Sequence, residues 1–130
     1  MRNPLQVVDL GETAYGEAWE LQRAVFEQRS AGTIPDALLL NEHRHVYTLG
    51  KSSDDHHLLA SDAELAKSGA EVFRIDRGGD VTYHGPGQLV GYPILDLNNY
   101  YLDLHRYLRD LEETIIRTLA EFGVRGTREE

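Results

Sequence analysis

Between Arg77 and Ile94 the chain reads Arg-Gly-Gly-Asp-Val-Thr-Tyr-His-Gly-Pro-Gly-Gln-Leu-Val-Gly-Tyr-Pro-Ile, and these eighteen residues hold five of the twelve glycines and two of the four prolines. Such a density of Gly and Pro reads as turns joined by extended chain. The pair Gly78-Gly79 allows positive φ and lets a ligand approach bare backbone, whose N–H groups can bind a carbonyl or carboxylate oxygen. Arg77 adds a cation at the entrance. If Val81 to His84 is extended, Val81 and Tyr83 face one way while Thr82 and His84 face the other, setting a hydroxyl beside an imidazole. Gly85-Pro86-Gly87-Gln88 has Pro at the second and Gly at the third position of a type II turn. Two readings stay open on these residues: a plain hairpin with a wide glycine loop, and a ligand-binding loop, which the polar donors packed between glycines favour.

The flanking segments alternate strand and helix patterns. Leu5 to Leu10 is β-branched enough for a first strand, and Ala14, Ala18, Leu21 and Val25 recur at helical spacing between Glu12 and Gln28. Asp9 with Glu12 has the form of a capping box for that helix. Ala37 to Asn41 reads as a buried strand, Val46 to Leu49 continues extended, and Lys51 to His57 is a polar loop. Asp62 to Ser68 is a short helix stopped by Gly69, and Glu71 to Ile75 alternates with period two. A last helix runs from about Asp103 to Phe122 with Leu104, Leu108, Leu111, Ile115, Leu119 and Phe122 on one stripe and Gly123 as its stop. Interspersed strands and helices give a mixed α/β or α+β domain, and 130 residues without an internal repeat fit a single one.

Composition excludes several function classes. The longest apolar run is Ala37-Leu38-Leu39-Leu40, against the roughly 20 residues a membrane-spanning helix needs. The segment Met1 to Gln6 lacks the apolar stretch of a secretory signal, so a cytoplasmic protein is expected. A net charge of −9 is the wrong sign for general nucleic-acid or anionic-membrane binding, and the two lysines, Lys51 and Lys67, form no cluster. With no cysteine, the 130 residues offer no disulfide, no Cys-ligated zinc and no thiol nucleophile.

Three constellations fail on inspection. Gly50-Lys51-Ser52 ends like a phosphate-binding loop, but His45 stands where that loop needs its first glycine. His43, His45, His56 and His57 could be drawn together as metal ligands, yet no Cys pair or His-Glu-x-x-His helix supports them, and they read as polar loop histidines. No Gly-x-Ser-x-Gly elbow exists for a serine nucleophile.

The stretch from Arg77 to Ile94 closely resembles the signature of the lipoyl(octanoyl) transferases, the octanoyl-[acyl-carrier-protein]:protein N-octanoyltransferases. Leu38-Leu39-Leu40 leading to Glu42-His43, and Val46-Tyr47-Thr48-Leu49-Gly50, look like the family's earlier block, and the resemblance covers essentially the whole chain. It implies a cytoplasmic enzyme of lipoate biosynthesis and protein lipoylation with the biotin/lipoate protein ligase-like fold, incomplete at the C-terminus. Such an enzyme takes an octanoyl group from acyl carrier protein onto its own Cys and passes it to a lysine of a lipoyl domain. The implied partners are octanoyl-acyl carrier protein, the lipoyl domains of 2-oxoacid dehydrogenase complexes and the glycine cleavage H protein. No metal, nucleotide or other cofactor is implied, because the thioester is already activated. The family's substrate-binding segment maps onto Arg77, Gly78, Gly79, Asp80, Val81, Thr82, Tyr83 and His84, with no individual role for Asp80. The family's catalytic Cys and Lys lie beyond the helix that ends near Phe122, so this chain is expected to be a truncated N-terminal portion, inactive alone. Two rivals remain at this stage: an ATP-dependent lipoate protein ligase of the same fold, and a non-catalytic subunit that needs a second chain.

Overall fold

The structure is a computed structural model that describes residues 3–52 and 58–129. Two compact units emerge, Met1–Asp96 and Leu97–Glu130. His56 and His57 lie outside the described residues.

The first unit uses one pattern twice: two parallel strands joined through a helix, with an antiparallel third strand on the middle one. Strand β1 (Leu5–Thr13) leads through helix α1 (Tyr15–Ser30) to β2 (Asp36–His43), which runs parallel to it. Strand β3 (Val46–Leu49) leads through helix α2 (Asp62–Ser68) to the parallel β4 (Glu71–Arg74). Strand β5 (Val81–His84) then adds antiparallel to β3, and β6 (Leu89–Ile94) adds antiparallel to β2. The sheets are therefore ordered β1-β2-β6 and β4-β3-β5, and the β5–β6 connection carries the chain from one to the other. A helix between parallel strands is the short way to reverse direction, because a tight turn joins only antiparallel ones.

Strand β2 is the spine of the unit. Asp36, Ala37, Leu39, Asn41 and His43 are buried along it. Ala18 of α1 and Leu39 of β2 are each 2% exposed and belong to the first sheet's core, while Leu49 of β3 and Leu65 of α2 are buried and line one cavity. At the start of β2 the buried Asp36 carboxylate accepts Arg29 Nε at 2.7 Å and the Asp96 backbone N–H at 2.9 Å, tying the end of α1 to the end of β6.

The mixed α/β class is borne out, and the departures from the sequence reading have local causes. Strand β1 runs three residues past Leu10, because the pairing shifts between Asp9 and Glu12 and absorbs Gly11 at φ +64. Within that bulge the Asp9 carboxylate accepts the Gly11 N–H at 2.9 Å. The expected Asp9/Glu12 capping box therefore does not form, and α1 starts after Ala14 with no side-chain cap. A capping box does occur on α2, where Ser61 Oγ accepts Glu64 N–H at 3.2 Å and Glu64 returns a carboxylate to Ser61 N–H at 2.7 Å. Two turns of helix lean heavily on such a cap. Ser61→Ala is expected to cost about 1 kcal/mol, read as a lower denaturant midpoint at unchanged slope.

In the second unit, helix α3 (Leu104–Glu121) begins at Asp103, whose carboxylate accepts the Arg106 N–H at 3.0 Å, and is stopped by Gly123 at φ +75. Arg128 returns to the helix with Nε on Glu112 at 3.0 Å and Nη2 on Glu113 at 2.7 Å. Leu104, Leu108, Ile115 and Phe122 of the expected stripe are exposed. Among the described residues no helix is long and apolar enough to cross a membrane.

Candidate functional site

The loop after β4 is docked, not free. The Arg77 guanidinium reaches back under it, with Nη2 2.8 Å from the Thr48 carbonyl, the Thr48 hydroxyl and the Asp80 carbonyl, and Nη1 2.9 Å from the Gly78 carbonyl. The platform beneath is Gly50-Lys51-Ser52. Lys51 N–H donates to Arg77 O at 2.9 Å, and Ser52 Oγ donates to Gly79 O at 2.8 Å. A Cβ on Gly50 would overlap the Gly79 carbonyl oxygen and come within 2.9 Å of Arg77 Nη1, which is why glycine stands there. So the segment that resembled the tail of a phosphate loop is a docking platform for the Arg77 loop.

Only one of the paired glycines uses its freedom: Gly79 has φ +92, whereas Gly78 does not adopt positive φ, which corrects the expectation for it. Gly78 instead faces open space. Of the five guanidinium N–H donors, the Nε–H and one on Nη1 are not committed to these oxygens. Among the described residues no carboxylate forms an ion pair with Arg77. The loop is thus held by a cation that no carboxylate of the described residues neutralises.

Beside it, β5 divides its side chains as its period demands. Thr82 and His84 stand opposite Thr48 and Val46 of β3, and Val81 and Tyr83 stand opposite Leu49 and Tyr47 on the other face. Tyr83 packs there on Tyr47 at 5.1 Å between ring centroids, and its hydroxyl lies 2.5 Å from His45 Nδ1. His84 instead stands 5.4 Å from His43, which also meets Tyr15 at 5.1 Å. Tyr15 in turn packs on Phe73.

His43 is the hub of a buried polar network, not the loop histidine expected. It has no exposure, because the buried register of β2 points it inward with Asn41. Thr13 Oγ1 donates to Asn41 Oδ1 at 2.7 Å, Asn41 Nδ2 lies 2.9 Å from His43 Nδ1, and His43 Nε2 lies 2.5 Å from the Tyr92 hydroxyl. An amide NH₂ donates, so Nδ1 accepts and Nε2–H donates, which is a neutral imidazole. Burial, with His84 adding to it, holds the His43 pKa down at about 4. Burial pushes the Tyr92 phenol up to about 12, with Tyr15 adding to the rise and a hydrogen bond from Gln22 opposing it. Tyr15 is also raised by burial, against the pull of the Arg77 charge.

The structure therefore brings Arg77, Thr48, Thr82 and His84 to one side of the second sheet and places Val81 and Tyr83 on the other. Sequence reasoning missed Tyr15, Asn41, Thr48 and Tyr92. One signal was available: Asn41 and His43 continue the alternation of Ala37 and Leu39, so two polar residues occupy the buried register of a strand. Such residues survive only when satisfied. Among the described residues no cluster of His, Cys, Asp and Glu could hold a metal, and His43 and His45 point to different partners. What remains is a docked glycine loop with a cation that has no carboxylate partner among the described residues, next to a hydroxyl and an imidazole, an arrangement suited to an acyl or carboxyl oxygen.

Comparison with known proteins gives the following. The profile described as the lipoyl protein ligase A/B catalytic domain matches residues 14–130. The octanoyltransferase of Flavobacterium psychrophilum is 49% identical over 142 residues, an alignment that covers 100% of this chain and 61% of that protein. The octanoyltransferase of Rubrobacter xylanophilus is 57% identical over 119 residues, covering 91% of this chain and 53% of that protein. This chain thus spans about three fifths or less of the length of these curated relatives. Among solved structures, protein Ta0514 of T. acidophilum, described as a "putative lipoate protein ligase", superposes with a TM-score of 0.66 at 20% identity, covering 100% of this chain and 52% of that one. This last likeness is one of fold.

Proposed function

The chain belongs to the lipoyl protein ligase A/B catalytic-domain family, and from that premise we propose that it supplies the acyl-binding portion of an octanoyltransferase. The observation that carries the reading is the Arg77 loop: a cation without a carboxylate partner among the described residues, donors still uncommitted, and Thr82 and His84 beside it. The identity to octanoyltransferases across the whole chain supports transfer over ATP-dependent ligation. The segment Arg77 to His84 would hold the octanoyl thioester of acyl carrier protein. A Cys thiolate would attack its carbonyl, expelling the carrier's thiol. The amine of a lipoyl-domain lysine would then attack the acyl-enzyme, losing a proton as the Cys thiol re-forms. Lipoyl domains of 2-oxoacid dehydrogenase complexes and the glycine cleavage H protein are the proposed acceptors, in the cytoplasm.

The 130 residues contain no Cys. In this reading the thiolate and its Lys partner come from outside them, on a continuation of the polypeptide or a second chain, and both units belong to one octanoyltransferase domain. Incubated with octanoyl-acyl carrier protein, residues 1–130 alone should gain no octanoyl mass. The protein that includes the Cys-bearing segment should form the adduct and modify a lipoyl domain without ATP. His84→Ala in that protein should lower transfer about 100-fold with an unchanged melting temperature. A stoichiometric adduct on residues 1–130, or modification that needs ATP and free octanoate, would overturn the proposal.

A further inference from the structure

We propose that Gln88 is a positioning residue that fixes His84 as its Nδ1–H tautomer, so that His84 offers Nε2 as a hydrogen-bond acceptor to the attacking amine. The role of that acceptor rests on the octanoyl-transfer reading above; the tautomer does not. The argument begins with the turn. Pro86 supplies a fixed φ at the second position, Gly87 takes φ +88 at the third, and Gln88 N–H closes the turn on Gly85 O at 3.1 Å. A reversal of this kind brings the side chain of Gln88 back to the residue four places earlier. Gln88 Oε1 lies 2.5 Å from His84 Nδ1.

An amide oxygen can only accept, so Nδ1 must carry the hydrogen. A neutral imidazole has one N–H, which leaves the lone pair on Nε2. Among the described residues Nε2 makes no hydrogen bond. The neighbouring His43 cannot take its place or compete for it, since both its nitrogens are engaged by Asn41 and Tyr92. The arrangement has the logic of an oriented base: one ring nitrogen held by a partner, the other turned free for the incoming group. Gln supplies the orientation without adding a charge.

Because Gln88 is exposed, its bond competes with water and adds little to folding. Its effect should show in the tautomer. The test is a long-range ¹H–¹⁵N correlation spectrum of ¹⁵N-histidine-labelled protein at about pH 8, above the ordinary histidine pKa, with His84 assigned by its loss in His84→Asn. Wild type should show His84 protonated on Nδ1. Gln88→Ala should move it to a mixture richer in Nε2–H, and Gln88→Glu, which still accepts at Nδ1, should restore the wild-type pattern. The buried His43, with its Nε2–H pattern unchanged, reports that each variant is folded. In the transfer assay, Gln88→Ala should lower kcat about tenfold with KM for the octanoyl donor unchanged, and Gln88→Glu should recover it. A wild-type Nε2–H tautomer, or one indifferent to Gln88→Ala, would overturn the proposal, as would a change confined to KM. The tautomer is read without substrate, so its failure is separable from a failure of octanoyl transfer.

Discussion

Acidification from about pH 7 to pH 4 is expected to remove about 3 kcal/mol of stability through His43 alone, at roughly 1.4 kcal/mol per unit between the ordinary 6.5 and the folded value of about 4. The direction follows from proton binding. Between those two values the unfolded chain takes up a proton that folded His43 refuses, so the contribution is complete above 6.5 and is lost as pH falls towards 4. The cause is structural: His43 has no exposure, and both ring nitrogens are committed to neutral partners that leave no room for a second N–H. Urea unfolding of wild type and of His43→Gln, which cannot take up this proton, isolates the effect. Wild type should lose more stability than the variant over this interval. Parallel pH profiles for the two proteins would refute the assignment.

Gly50→Ala should be among the most damaging single-methyl additions in the first unit. The new Cβ would overlap the Gly79 carbonyl oxygen and crowd Arg77 Nη1 at 2.9 Å and Arg77 O at 3.0 Å, and two of these three are backbone atoms that cannot turn aside. Relief requires lifting the Arg77 loop from its platform, with loss of the bonds from Lys51 N–H and Ser52 Oγ. A cost of about 3 kcal/mol follows. Gly78→Ala is the matched control, since Gly78 has ordinary φ and nothing within 4 Å of the added carbon. That variant should stay within about 0.5 kcal/mol of wild type. Thermal unfolding of the two side by side decides the matter, and equal midpoints would mean the loop is not docked as described.

Both sites lie where sequence reading had least purchase. Read as sequence, the Gly-Lys-Ser run raises only the question of a phosphate loop, and its structural part stays unseen. Its role depends on a carbonyl 29 residues away, at Gly79, and no spacing rule reports that contact. His43 and Asn41 were closer to being legible. They alternate with apolar residues along one strand, but polarity read alone sent His43 to a loop, and burial against Tyr92 reversed that. The capping box misread at Asp9 shows the same limit at short range, because a carboxylate can serve a bulge or a helix start equally well.

What local chemistry dictates was readable from the chain: the alternation along β4 and β5, the helical spacing of α3, the glycine stops at 69 and 123, and the Pro-Gly turn before Gln88. Each depends on the conformational preference of a few neighbouring residues, and those preferences travel with the sequence. The family resemblance was equally legible, since it rests on residue order. Which side of β5 faces the Arg77 loop, which histidine is buried, and which glycine must lack a side chain were settled by tertiary packing. Those answers depend on groups brought together from β2, β3, β5 and β6, and on the cost of burying polar atoms there without partners.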